Sequence, residues 1–123
     1  MGTWGAGNFD SDDACEFLDE TIEKFHRIIE DSLKPENLKV FFLEHYGEPI
    51  LMPTVDIIIT LCEHYHSSPR LEVEKVNSWK ELYLRTYDET VDTFGPKAEW
   101  KINRRKVIED TFNKLELLAK EWA

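Results

Sequence analysis

Residues 12–32 read DDACEFLDETIEKFHRIIEDS, and the spacing of the apolar residues in this stretch decides the fold class. The apolar residues that recur at three- and four-residue intervals are Ala14, Phe17, Leu18, Ile22, Phe25, Ile28 and Ile29. Such spacing places them along one side of an α-helix. We therefore predict a first helix over residues 12–32, capped by Asp10 or Ser11, with its apolar stripe in the core and its acidic residues opposite.

A second helix is predicted over residues 36–46. Lys34-Pro35 ends the first helix, because proline cannot continue one, and Gly47-Glu48-Pro49 is predicted to end the second. The residues predicted to face inward are Leu38, Phe41, Phe42 and Tyr46.

A third helix is predicted over residues 53–64, which are apolar on almost every side. The apolar residues here are Val55, Ile57, Ile58, Ile59, Leu61 and Cys62. A helix that is apolar all round belongs at the centre of a fold. A buried strand is the alternative, because three consecutive β-branched isoleucines also suit a strand.

Two longer helices complete the pattern. One begins at Leu71 or Val73 and continues to Thr93, with Gly95-Pro96 as its stop. Its predicted inward residues are Val73, Val76, Trp79, Leu82, Tyr83, Thr86, Tyr87, Val91 and Phe94. The last covers residues 98–122, with Trp100, Ile102, Val107, Ile108, Phe112, Leu115, Leu118, Ala119 and Trp122 as its apolar set. We predict an all-α protein, a single domain over residues 1–123 that forms an antiparallel bundle of four or five helices.

Charge is concentrated near the start of the chain. The net charge is −10, and residues 1–23 contain seven acidic residues and no lysine or arginine. These are Asp10, Asp12, Asp13, Glu16, Asp19, Glu20 and Glu23. This polarity argues against nucleic acid or an anionic membrane as a partner and favours a basic protein. The alternative is a solvated helix face with no partner.

The composition predicts a soluble, cytoplasmic protein. No apolar run approaches the roughly 20 residues that cross a bilayer, and the first 30 residues lack the pattern of a signal peptide. Cys15 and Cys62 are the only cysteines, which agrees with a reducing compartment.

The segment before the first helix is unusually rich in aromatic and glycine residues. Because chain ends are usually polar and frayed, we predict that Trp4 and Phe9 pack into the core as an arm. The pattern W-G-x-G-x-F-x-x-D-x-A, formed by Trp4, Gly5, Gly7, Phe9, Asp12 and Ala14, resembles the opening of the bacterial family called domain of unknown function 4259. The resemblance implies a small helical domain, and similar small domains occur among proposed immunity proteins.

The chain offers few candidates for catalysis or metal binding. The densest group of possible ligands is Cys62, Glu63, His64 and His66, with His45 upstream. It lacks a second ligand pair at zinc-finger spacing, and no local signature pairs a cysteine with a histidine for nucleophilic catalysis. We predict no metal site, no cofactor and no enzymatic activity.

A binding role is therefore favoured. We predict an immunity protein that neutralises a basic bacterial toxin, such as a nuclease, by covering its active site with an acidic surface. The residues predicted to bind the toxin are Asp12, Asp13, Glu16, Asp19, Glu20 and Glu23. The alternative is a cytoplasmic protein-protein interaction module without a toxin partner.

Overall fold

A computed structural model describes residues 2–123 of the chain. It contains five α-helices: α1 (Asp12–Ser32), α2 (Pro35–Leu38), α3 (Met52–Tyr65), α4 (Val73–Thr90) and α5 (Ala98–Glu121). A π-helical segment, Leu43–Leu51, leads into α3, and a 3-10 turn, Val91–Phe94, follows α4. Within residues 2–123 the β pairing is limited to an isolated bridge between Thr3 and Ser11. The prediction of an all-α bundle is confirmed.

The core lies where α3 packs between α1 and α5, with α4 packed along α5. Val55, Ile58 and Ile59 of α3 are buried, which confirms a central helix over the isoleucine-rich segment. The strand alternative for this segment is wrong, since it continues the helical hydrogen bonding of α3. The start of α1 is also confirmed, because the Ser11 side chain accepts a hydrogen bond from the Ala14 N–H at 3.2 Å.

The predicted second helix over residues 36–46 starts within one residue of α2, but it is wrong in its middle and at its end. The short α2 stops at Leu38, and the chain then turns through Phe41, whose φ of 53° lies in the left-handed region. That turn leaves Phe41 exposed, whereas Phe42 enters the core. A new helix starts here and continues through Gly47-Glu48-Pro49 into α3.

The π-helical geometry explains why this glycine and proline do not end the helix. Pro49 has no N–H, and in an α-helix its ring clashes with the carbonyl four residues earlier. A π-turn is wider, with hydrogen bonds five residues apart, so it accommodates the ring. Gly47 is buried, and a Cβ there would lie 2.9 Å from Tyr83 Oη and 3.0 Å from Phe42 Cε2. The glycine therefore permits close packing.

Several apolar residues that were predicted to face inward are exposed. These are Phe17, Ile28, Ile57, Phe94, Trp100, Ile102, Val107 and Trp122. Most lie on α1 and α5, which are outer helices, and an outer helix buries one stripe only. The spacing of apolar residues alone therefore predicted a wider buried stripe than these helices have. No helix within residues 2–123 is long and apolar enough to cross a bilayer.

Candidate protein-binding surface

The arm, residues 2–10, folds back on itself beside α1. The Trp4 N–H donates to the Asp10 carbonyl at 2.9 Å, and the Asp10 N–H donates to the Gly7 carbonyl at 3.2 Å. The Gly7 N–H in turn donates to Asp10 Oδ2 at 2.8 Å. The arm is thus an internally hydrogen-bonded loop closed around the Asp10 side chain.

The glycine spacing of the arm has a steric cause. A Cβ on Gly5 would lie 2.5 Å from Asp10 Oδ2, and a Cβ on Gly7 would lie 2.7 Å from the same atom. Neither glycine has a positive φ. Close approach to the Asp10 carboxylate, rather than an unusual backbone angle, therefore explains glycine at both positions.

The two aromatic residues of the arm have different surroundings. Phe9 is half-buried and packs on Tyr65 with the ring centroids 4.5 Å apart, as predicted. Trp4 is 61% exposed, so the prediction of a core position for it is wrong. Phe9 adjoins α1, where its carbonyl accepts a hydrogen bond from the Cys15 thiol at 3.3 Å. The closed loop holds Trp4 away from that contact and displays it to solvent.

A cleft, here called the Trp4 cleft, opens between the arm, α1, the α3–α4 loop and the end of α5. Its volume is about 520 Å³. The aromatic residues lining it are Trp4, Phe9, Tyr65 and Trp122, and the charged residues lining it are Asp10, Asp19 and Arg70. It therefore combines aromatic walls with acidic groups.

The α3–α4 loop is fixed to α1 on one side of this cleft. Arg70 Nε donates to Glu23 Oε1 at 2.6 Å, and Arg70 Nη1 lies 3.6 Å from Asp19 Oδ2. His26 Nε2 donates to the Pro69 carbonyl at 2.7 Å. These contacts hold Arg70 at a φ of 55°, a conformation that costs a residue with a Cβ roughly 1–2 kcal/mol.

The ionisation of these groups follows from their contacts. The hydrogen bond from Arg70 is the main cause that lowers the pKa of Glu23. Burial lowers the pKa of His26, and the Pro69 contact opposes that shift. A carbonyl oxygen only accepts, so His26 Nε2 carries the proton of the neutral ring.

The structure divides the six predicted partner-binding residues into two groups. Asp19 and Glu23 are half-buried and pair with Arg70. The remaining four are exposed and form no ion pair within the part of the chain described, and we call them the acidic face: Asp12, Asp13, Glu16 and Glu20. Uncompensated negative charge on α1 is therefore concentrated toward its N-terminal half.

An exposed aromatic residue lies among these carboxylates. Phe17 is 62% exposed, and Asp13 and Glu20 precede and follow it by four and three residues, which places all three side by side on the helix. Sequence analysis assigned Phe17 to the core because it fits the apolar stripe. The acidic neighbours were the available signal that it lies beyond the edge of that stripe.

A second ionic cluster, missed by sequence analysis, lies between the π-helical segment, α4 and α5. Arg104 Nε and Nη2 donate to Glu48 Oε1 and Oε2 at 2.6 and 3.0 Å, and the Tyr83 hydroxyl also donates to Oε2. Burial first, and then the Glu48 charge, raise the pKa of Tyr83. Both Glu48 oxygens are engaged, so the cluster joins three elements of the bundle.

The residues considered as metal ligands are spread over different environments. Cys62 is buried, and burial raises the pKa of its thiol to about 11. His64 packs edge-on against Tyr65, and His66 is the exposed left-handed residue that ends α3. Across residues 2–123, no group of three or more histidine, cysteine or carboxylate side chains is placed to hold a metal ion.

The family model described as domain of unknown function (DUF4259) matches residues 2–122, nearly the whole chain. No curated protein and no solved structure matches.

Proposed function

The chain belongs to the DUF4259 family, and we propose that it is an immunity protein that binds and neutralises a basic protein toxin, such as a nuclease. The observation that carries the proposal is the exposed Phe17 beside the free carboxylates of the acidic face. Aromatic residues are enriched in protein–protein interfaces relative to the rest of the surface, and a polar rim surrounds them there.

Charge supplies the long-range part of the interaction. The chain carries a net charge of −10, and the acidic face has no counterion from the chain within residues 2–123. Such a surface attracts a basic protein from solution and raises its association rate. A nuclease binds phosphates with a basic active site, so a row of carboxylates can occupy and cover that site.

Phe17 supplies the short-range part. Residues that dominate binding energy are usually large side chains at the centre of a contact, enclosed by groups that exclude water. Phe17, with Asp13 and Glu20 on either side along α1, would take this central position in the proposed contact. We expect it to insert into an apolar depression of the toxin while the carboxylates pair with surrounding lysines and arginines.

The first test is growth rescue. The proposal expects a toxin gene next to the gene for this protein, and the toxin domain that such a gene encodes is expressed alone and together with the protein. Neutralisation restores growth. If growth stays arrested although the protein is folded and abundant, the immunity proposal is wrong and the alternative, an interaction module without a toxin partner, is favoured.

The second test locates the surface. We compare a triple charge reversal on α1 (Asp13→Lys, Glu16→Lys, Glu20→Lys) with a matched reversal on α4 (Glu74→Lys, Glu81→Lys, Glu89→Lys). All six residues are exposed, and both variants change the net charge equally. The α1 variant should associate with the toxin at least about tenfold more slowly at low salt, where screening is weakest. A larger loss in the α4 variant would place the binding surface on α4.

A further inference from the structure

We propose that the Trp4 cleft receives one basic side chain, an arginine or a lysine, from the partner protein. In naming a partner, this inference rests on the proposed function, but the chemistry of the cleft is argued from its own residues. The cleft volume of about 520 Å³ lies within the range of small-molecule sites. The cleft is therefore large enough for a long side chain with part of its backbone.

The aromatic walls suit the stem and the charge of such a side chain. Trp4 is 61% exposed and Trp122 is 50% exposed, and both line the cleft together with Tyr65. Arginine and lysine bury their methylene stems against apolar surface. Their charged groups are attracted to the faces of aromatic rings, most strongly to tryptophan.

The carboxylates supply the complementary charge. Asp10 uses Oδ2 to accept from the Gly7 N–H, and Oδ1 accepts no hydrogen bond within the described chain. Asp19 lies 3.6 Å from Arg70, too far for a strong hydrogen bond, so it also retains acceptor capacity. Arg70 is already engaged by Glu23 at 2.6 Å. The uncompensated charge of the cleft is therefore negative, which favours a cation over a phosphate.

The cleft is organised before anything binds. Hydrogen bonds within the arm fix the backbone of Trp4, and the contacts of Arg70 and Pro69 with α1 fix the opposite wall. A binding site that is already ordered loses little conformational entropy when it is occupied. An exposed tryptophan on a fixed backbone is suited to recognition.

Nuclear magnetic resonance tests the cleft without the toxin. The indole N–H signals of Trp4, Trp79, Trp100 and Trp122 are followed while the capped peptide acetyl-Gly-Arg-Gly-amide is added, with separate titrations using the lysine peptide and the uncharged citrulline peptide. The arginine or lysine peptide should shift the Trp4 and Trp122 signals in a saturable manner. Trp100 is the internal control, since it is 47% exposed but lies about 33 Å from Trp122 along α5.

Variants make the test specific. Trp4→Ala should weaken peptide binding about tenfold, whereas Trp100→Ala, which removes another exposed tryptophan, should leave it unchanged. Asp19→Asn removes one charge at nearly constant shape and should weaken binding several-fold. Asp10→Asn should also weaken binding several-fold. The arm should stay closed in this variant, because the amide oxygen can still accept from the Gly7 N–H.

The outcomes separate this inference from the proposed function. Shifts confined to Trp4 and Trp122, absent with citrulline, support the cleft even if growth rescue by the protein fails. Equal shifts at Trp100, binding of the citrulline peptide, or unchanged affinity in Trp4→Ala overturns the cleft inference even if growth rescue succeeds.

Discussion

The side chain of Asp10 accepts a hydrogen bond from the Gly7 N–H at 2.8 Å, and this contact closes the loop that displays Trp4. The same carboxylate would meet a Cβ on Gly5 or on Gly7. One acidic side chain therefore explains Gly5 and Gly7 of the arm and the exposure of the neighbouring tryptophan. The arm thus leaves Trp4 at the surface and contributes Phe9 to the packing of the bundle.

We expect Gly5→Ala and Gly7→Ala to open the arm. The added methyl displaces the Asp10 carboxylate, and loss of its hydrogen bond costs about 1 kcal/mol of the free energy of unfolding. Hydrogen exchange at the Trp4 amide should accelerate. Gly95→Ala is the control: a Cβ there meets nothing within 4 Å, but φ is +64°. Gly95→Ala should lower the free energy of unfolding by a similar amount through backbone strain. Hydrogen exchange at the Trp4 amide should stay unchanged.

Trp4→Ala should change thermal stability by less than about 0.5 kcal/mol, because substitution of an exposed residue removes few contacts. Trp79→Ala should cost about 3–5 kcal/mol, since Trp79 is only 4% exposed. Thermal melts of the two variants measure this contrast. Comparable losses would mean that Trp4 packs into the core after all.

Glu48→Gln should destabilise the bundle by about 2 kcal/mol, because it leaves the half-buried Arg104 and the fully buried Tyr83 without the acceptor charge. The side chains of Arg104 and Glu48 are 24% and 25% exposed. Asp88→Asn is the matched control. Arg105 also donates two hydrogen bonds to Asp88, both at 2.8 Å, but this pair is exposed to solvent. The control substitution should cost less than about 1 kcal/mol. Urea denaturation at neutral pH compares them, and equal costs would contradict the role of burial.

Acid should lower the free energy of unfolding through His26, because protonation charges a half-buried ring, although the Nε2–H that donates to Pro69 is kept. Its folded-state pKa is lowered from the usual 6.5 by burial, while Glu23 and Glu30 raise it and Arg70 lowers it. The neutral ring is therefore favoured in the folded protein. Its contribution to stability is complete above pH 6.5 and is lost as the pH falls through the lowered folded-state pKa.

Urea denaturation between pH 5 and pH 8 tests this expectation. His26→Gln keeps a donor near the Pro69 carbonyl without the titration, so its stability should fall less with acid. His64→Gln, at an exposed position, should keep the slope of the parent. The same slope in all three proteins would show that His26 does not carry the effect.

The amino-acid sequence by itself determined the helices whose apolar spacing is regular over several turns. It placed α1 at residues 12–32 with its cap at Asp10 or Ser11, of which the structure has Ser11, and it identified the Gly95 stop before α5. These features depend on contacts between residues close in the chain, so local periodicity and capping chemistry suffice. The acidic character of the start of α1 is likewise a property of composition.

Tertiary structure decided which of several apolar residues become buried. It also decided which of the glycine and proline residues end a helix. Pro49 remains inside a helix because a π-turn has room for its ring. Gly47 leaves space for the side chain of Tyr83, which is 36 residues away in the chain. Arg70 forms an ion pair with Glu23 and lies close to Asp19. The sequence shows the charges of these two carboxylates but not their pairing with Arg70. Trp4 faces solvent because the arm closes on Asp10 instead of on the core. Each of these outcomes depends on the positions of groups from different elements, and only the packed chain fixes those positions.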